Sequence, residues 1–351
     1  MMSDPTRRLP HEPDFEQFLK ALWRRGTPDH LPFYEHLASS GFIGTRTGTE
    51  FQKMQPGDSG YWEIYVDFWL GMGYDCIPME MPLKCPLPKA AAEGVSVGSE
   101  SSAVIGSRRD FESYPWPSES DPIDFHAFEI VAGLLPDGVR IVGGVAMGPY
   151  EWVSRMMGVV GLSYALADDP ALVEAVFSKI NGLIRAGHAQ LATMDAVGAL
   201  RQGDDLGFKT ATFLRPEALR RYVLPAYRDI AAAAHQHGKP FILHSCGNLE
   251  EIYEDLIDPC RIDAKHSFED AIIPVIRFKE LYGSRITPLG GLDVDVICRS
   301  DEKTLEEYTR KHVDACFADG WWALGTGNSL TDYMPVESYI TVLEEGRRYT
   351  A

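Results

Sequence analysis

Residues 240–248 read PFILHSCGN. The apolar run Pro240–Leu243 stops at His244, Ser245 and Cys246 follow, and Gly247-Asn248 supplies a turn. A short, continuous apolar run suits a strand buried on both faces, as in a parallel sheet. Seven further runs of this kind punctuate the chain: 31–36, 74–81, 139–146, 196–205, 261–268, 285–293 and 321–328.

Helical patterns separate them. Pro170–Leu191 repeats Leu172, Val173, Val176, Phe177, Ile180, Leu183 and Ile184 at helical spacing. Arg215–His237 has Pro216 in its first turn and stops at Gly238, the expected polarity of one continuous helix. Leu249–Ile257 and Pro274–Tyr282 read as short helices, and Ser300 as the cap of a helix to Ala318 that Gly320 ends. Eight strands alternating with helices predict an α/β chain folded as a (β/α)8 TIM barrel rather than an open sheet. Residues 1–30 form an N-terminal helical extension, with a helix over Phe15–Trp23 covering one barrel end, and residues 31–351 a single barrel domain. Lys84–Asp121, rich in Gly, Ser, Ala and Pro, is a long excursion after the second strand that shapes the pocket.

The 351 residues are 45% hydrophobic and 24% charged, with a net charge of -18. That balance opposes non-specific nucleic-acid binding, which needs a basic face. No apolar run approaches the roughly 18 residues that span a bilayer. The N-terminus lacks the apolar core of a signal peptide. Six scattered cysteines without a CxxC pair read as reduced thiols. A cytoplasmic protein is expected.

Barrel enzymes place their chemistry at the C-terminal strand ends. Here those ends carry Glu35 and His36; Glu80; Tyr150 and Glu151; Asp204 and Asp205; His244 and Cys246; His266 and Glu269; Asp293 and Asp295; Thr326 and Asn328. His244 and Cys246, two apart on an extended strand, point the same way. A nitrogen-plus-sulfur pair suits zinc. A buried cysteine that is only a small hydrophobe is the competing reading. Glu80, between Met79 and Met81, is either a site residue or the partner of an arginine. One of Asp204 and Asp205 closes the loop while the other faces the site. Of Lys265 and His266, one points inward and the other lies on the surface. His235 and His237, near a helix end, read as structural, and Trp321 and Trp322 as packing.

The segments GYDCIPME (73–80), MGPYEWVSRMMG (147–158), ALADDPALVEAVFSKI (165–180), GDDLGFKTATFLRPEALRRYVLPAYRDI (203–230) and HSCGNLEEIYEDLID (244–258) resemble the uroporphyrinogen decarboxylase superfamily, in its order and over most of the chain. The resemblance implies the same barrel and, by likeness alone, a homodimer. True uroporphyrinogen decarboxylases are metal-free and carry an arginine-rich N-terminal motif. The corresponding stretch here, PDHLPFYEHLASSGFIGTRTG (28–48), has a lone Arg46. The pattern is closer to the zinc-dependent corrinoid and thiol methyltransferases, including O-demethylase components. Those bind zinc through His-x-Cys, matched by His244 and Cys246, and a further Cys where this chain has Thr326. Cys316 lies on the preceding helix, so Glu80 is the expected third ligand.

The expected activity is zinc-dependent transfer of a methyl group from a small methoxylated or methylated compound to a thiol or to a corrinoid on a separate partner protein. Asp205, Glu80 and Tyr150 are the candidate catalytic residues. His36, Gln202, His266 and Asn328 are the candidates for substrate contact. The alternative is a metal-free decarboxylase or lyase of a carboxylated substrate, with Asp205 and Tyr150 in its site. A barrel that binds a ligand without turnover is the third reading.

Overall fold

The computed structural model describes residues 7–87 and 103–350. Residues 88–102, part of the excursion after the second run, lie outside the described residues. Six parallel strands pair in chain order: β1 Cys76–Pro82, β2 Arg140–Ala146, β3 Val197–Gly203, β4 Phe241–His244, β5 Ala264–His266 and β6 Thr287–Pro288. Single parallel bridges continue the ring. Leu289 and Leu292 pair with Ala323 and Thr326 of the eighth run, and Leu324 and Leu330 pair with Phe33 and Ala38 around the first. The chain is thus an α/β TIM barrel whose eight walls are the eight apolar runs. No ladder joins the first run to β1 among the described residues; side chains close that seam, with Phe33 packed edge-on against Tyr74 at 5.7 Å.

One end of the barrel is plugged. The helix Phe15–Trp23 starts at Asp14, whose carboxylate accepts the Glu16 amide. Phe15, Phe18 and Leu22 recur at helical spacing and face a ring of small and branched residues: Cys76, Val142, Ala199, Ile242, Ala264, Leu289 and Ala323. Each ring member comes from a different wall, near where its strand enters. Phe18 is fully buried and stacks on Tyr34 at 5.8 Å. Truncating such an aromatic to alanine costs about 3–5 kcal/mol. The N-terminal end is therefore packed shut, and the chemistry is left to the C-terminal end.

The helix expected over Arg215–His237 is two helices, Pro216–Tyr222 and Leu224–Gln236. Pro225 causes the break: it donates no amide hydrogen, and its ring collides with the preceding turn. The cap of the helix Glu302–Cys316 is Asp301, not Ser300; its carboxylate accepts the Thr304 amide at 2.9 Å. Leu249–Ile257 begins as a 3-10 turn, Glu250–Ile252, before the α-helix Tyr253–Ile257. All six cysteines are free thiols. Among the described residues, no helix is long and apolar enough to cross a membrane.

Candidate active site

β4 delivers His244 to the open end of the barrel, and the loop that follows turns at Gly247, where φ is 87°. A Cβ there would lie 2.1 Å from the Gly207 backbone, so glycine is required twice over. This close approach locks the loop after β4 to the loop after β3. The Gly207 amide donates to the Cys246 carbonyl (3.1 Å) and the Asn248 amide to the Phe208 carbonyl (2.7 Å). The Cys246 amide in turn donates to Asp205 Oδ1 at 3.0 Å. Asp205, His244 and Cys246 are thereby brought together, with one ligand atom of each within 4.8 Å of the others. His244 Nε2 lies 3.5 Å from Cys246 Sγ and 3.8 Å from Asp205 Oδ1.

Hydrogen bonding fixes which nitrogen of His244 faces this cluster. His266 Nε2 sits 3.0 Å from the Thr326 carbonyl, which can only accept, so Nε2 carries the hydrogen. Burial pushes His266 down to about 3, so the ring is neutral and its Nδ1 is an acceptor. His244 Nδ1, 2.8 Å away, must then be the donor. Its Nε2 is left with a bare lone pair aimed at Cys246 and Asp205. Burial, reinforced by the neighbouring Lys265 and Arg201 charges, holds His244 well below its usual range and keeps it neutral. His36 stacks on its ring at 3.8 Å and braces it.

Cys246 is the other half of the pair. Burial and the charge of Asp205 push its thiol up to about 12. Ser267 Oγ lies 3.4 Å and Asn328 Nδ2 3.6 Å from its sulfur. Asn328 also lines a cleft of ≈ 500 Å³ with Phe268, Glu269, Asp293, Asp295 and Tyr333. The strand-end acids of the sixth and seventh runs thus face this cleft and not the cluster.

Glu80, the expected third ligand, is engaged elsewhere. Its Oε2 takes a hydrogen bond from Arg201 Nη2 at 2.8 Å and lies 3.8 Å from His36. Arg201 is fully buried, and Gly144 makes room for it; a Cβ there would meet the Arg201 backbone at 2.3 Å. An isolated cation in the barrel interior would be very costly, so a carboxylate must accompany it. Asp205, and not Glu80, is the carboxylate beside His244 and Cys246. Sequence reading missed Arg201; the signal was a charged residue within an otherwise apolar strand.

Other expectations sort plainly. Gln202 is fully buried, with its amide nitrogen on the Val145 (3.0 Å) and Gly203 (2.7 Å) carbonyls and its Oε1 without a hydrogen-bond partner among the described residues. His36 and His266 both lie against the His244 ring. Asp204 closes the loop: it accepts the Tyr150 and Glu151 amides (3.1 and 2.9 Å) and the Tyr227 hydroxyl (2.6 Å). Burial, then the charges of Asp204 and Asp205, push the neighbouring Glu151 up to about 8, so it holds a proton at neutral pH. Burial pushes Tyr150 up to about 12, and its ring stacks on Phe213 at 5.6 Å. Thr326 donates to Glu35 (2.7 Å) and is no ligand. Lys265 is not on the surface; it is buried, its ammonium 4.4 Å from the Phe268 ring centroid. His235 pairs with Asp263 at 2.7 Å, a structural contact.

A plugged parallel barrel with polar groups gathered at its open end defines a TIM-barrel enzyme scaffold. Residues 84–349 match the family model for uroporphyrinogen decarboxylase (URO-D), and the chain belongs to that family. Among solved structures, it is similar to a methyltransferase from Methanosarcina mazei at 16% identity, with a TM-score of 0.64, over 97% of this chain and 100% of that one. That likeness is one of fold. Xylanase B from Clostridium stercorarium F9 aligns at 11% identity over 63% of this chain and 84% of that one, with a TM-score of 0.39. Comparison with curated proteins gave no match.

Proposed function

We propose that the protein is a zinc-dependent methyltransferase, taking a methyl group from a small methoxylated or methylated compound to a corrinoid on a partner protein or to a thiol. The observation that carries this reading is the convergence of Asp205, His244 and Cys246, with the His244 lone pair directed into the cluster. Their oxygen, nitrogen and sulfur donors fit a zinc ion, and three protein ligands leave one position open, as in catalytic zinc sites. Bound there, zinc would supply Lewis acidity to the donor's oxygen or hold an acceptor thiol as its thiolate.

The chain's own groups do the rest. The cleft lined by Asn328, Phe268 and Tyr333 receives the substrate beside Cys246. An alkoxide or phenolate takes up a proton as it leaves, and Glu151, next in sequence to the candidate catalytic Tyr150 and protonated at neutral pH, is the candidate donor. Tyr150, which also keeps its proton, and Phe213 form one aromatic wall. The methyl passes to the acceptor nucleophile, and the demethylated product leaves as the neutral alcohol or phenol. Decarboxylation through an N-terminal arginine gains no support: Arg46 is buried, and its guanidinium donates to the Gly71 carbonyl at 3.0 Å.

The test mixes zinc-loaded protein, a panel of methoxylated aromatic compounds and reduced cobalamin, and follows methylcobalamin by its visible spectrum. Methyl transfer that falls at least about 100-fold in His244→Ala and Cys246→Ala supports the reading. Carbon dioxide release from a carboxylated substrate, with no methyl transfer, would replace it by the lyase alternative.

A further inference from the structure

A second cluster of metal-competent side chains lies at the opposite end of the barrel. Asp75 immediately precedes β1 and is almost fully buried. His11 Nε2 lies 2.6 Å from its Oδ1 and His30 Nε2 lies 2.9 Å from its Oδ2. The two imidazoles meet edge to face at 4.8 Å. One ligand atom from each of the three residues falls within 4.8 Å of the others. The carboxylate is also oriented from behind, because the Asp14 amide donates to Oδ1 at 2.9 Å.

We propose that His11, His30 and Asp75 form a second divalent-metal site, separate from the one at the barrel mouth and independent of the function proposed above. Two imidazoles and a carboxylate are the donor set of borderline transition ions such as zinc or cobalt(II); calcium and magnesium prefer all-oxygen shells. Arg347 donates to the Gly73 carbonyl close by and adds positive charge. An ion there must therefore be held by strong nitrogen bonds rather than by net charge, which again selects a transition metal. At bond lengths of about 2.0–2.2 Å tetrahedral donors stand about 3.3–3.5 Å apart, so the His11 pair must open by roughly 0.7 Å and the His30 pair by roughly 0.4 Å to admit the ion. His11 and His30 both lie outside helices and strands, so their backbone can give that much.

The placement says what the ion would do. His11 and His30 flank the plug helix Phe15–Trp23 on either side in sequence, while Asp75 belongs to the barrel wall. An ion bridging all three fastens the N-terminal extension to the barrel at both ends of its plug. The site is structural, and it leaves the catalytic end untouched.

Cobalt(II) distinguishes the two sites by colour. A thiolate ligand gives an intense near-ultraviolet charge-transfer band, whereas a nitrogen-and-oxygen site gives only weak visible bands. Full-length metal-free protein is titrated with cobalt(II), and zinc is then counted by mass spectrometry of acid digests. The expected result is about two equivalents per chain, of which one develops the thiolate band. In Asp205→Asn/His244→Ala/Cys246→Ser one equivalent remains, without the band, and zinc raises the melting temperature. In His11→Gln/His30→Gln only the banded equivalent remains. A wild-type protein that saturates at one banded equivalent overturns the proposal, whether or not either variant folds. So does a triple variant that holds no metal and melts at the same temperature with and without zinc.

Discussion

The Nδ1 atoms of His244 and His266 lie 2.8 Å apart, and only one of them can carry the hydrogen between them. Because His266 spends its own hydrogen on the Thr326 carbonyl, His244 is the donor, and its nitrogen facing Cys246 and Asp205 is fixed as a lone pair. Such outer partners of a ligating histidine are worth about 10- to 100-fold in metal affinity. His266→Phe keeps an aromatic ring but removes the acceptor, so competition against a chromophoric chelator should show zinc binding weaker by that factor. A barrel-mouth affinity equal to wild type would refute the relay.

Glu80 and Asp205 separate by the same kind of measurement. Removing Glu80 strands the Arg201 cation in the interior, a loss of about 3–5 kcal/mol. Denaturant unfolding of Glu80→Ala should show that loss, with barrel-mouth zinc retained in whatever protein folds. Asp205 is 46% exposed at its side chain and holds no buried partner charge, so Asp205→Asn should unfold like wild type yet lose that zinc. If Glu80→Ala is the variant that loses the metal, the assignment of ligands is reversed.

Cys246 makes metal binding pH-dependent in a defined sense. Its thiol, pushed up to about 12 by burial and by Asp205, must give up its proton to ligate. Zinc uptake should release one proton, and apparent affinity should climb about tenfold per pH unit across neutral pH. Calorimetry in buffers of different ionisation enthalpy counts the proton directly. Metal-free protein should also alkylate slowly at Cys246 at pH 8, since little thiolate is present. Rapid, selective modification there would contradict the environment described.

Much of this was legible in the sequence. Each of the eight apolar runs became a wall of the barrel, because continuous burial on both faces leaves a continuous apolar record. The plug helix was legible from Phe15, Phe18 and Leu22 for the same reason. His244 and Cys246 were legible because two residues on one strand share a face. That Asp205 and not Glu80 joins them was not, because the two come from different strands and their positions depend on where Arg201 reaches. That reach depends on Gly144, a missing side chain on a third strand. Pro225 was visible, yet the amphipathic pattern ran through it and concealed the break.

Glu35 predicts how stability varies with pH. Burial raises its carboxyl from 4.5 to about 7, against the opposing hydrogen bonds of Tyr339 and Thr326. The folded state thus binds this proton more tightly than the unfolded chain. The stabilisation is fully present below pH 4.5 and is lost as pH rises through about 7, up to about 3 kcal/mol in all. Glu35→Gln should flatten that part of the profile between pH 4.5 and 7 in denaturant melts. Parallel wild-type and variant profiles would rule Glu35 out as the source.

The central claim is a zinc ion held at the barrel mouth by Asp205, His244 and Cys246, and X-ray absorption at the zinc edge tests it most directly. Zinc-loaded wild type should show a sulfur shell at about 2.3 Å, about half a scatterer per zinc with both sites filled and about one in His11→Gln/His30→Gln, beside nitrogen and oxygen neighbours at about 2.0–2.2 Å. Cys246→Ser should lose the sulfur shell and keep the lighter one. A wild-type spectrum with no sulfur shell, or one that Cys246→Ser leaves unchanged, would contradict the site and the methyl-transfer reading built on it.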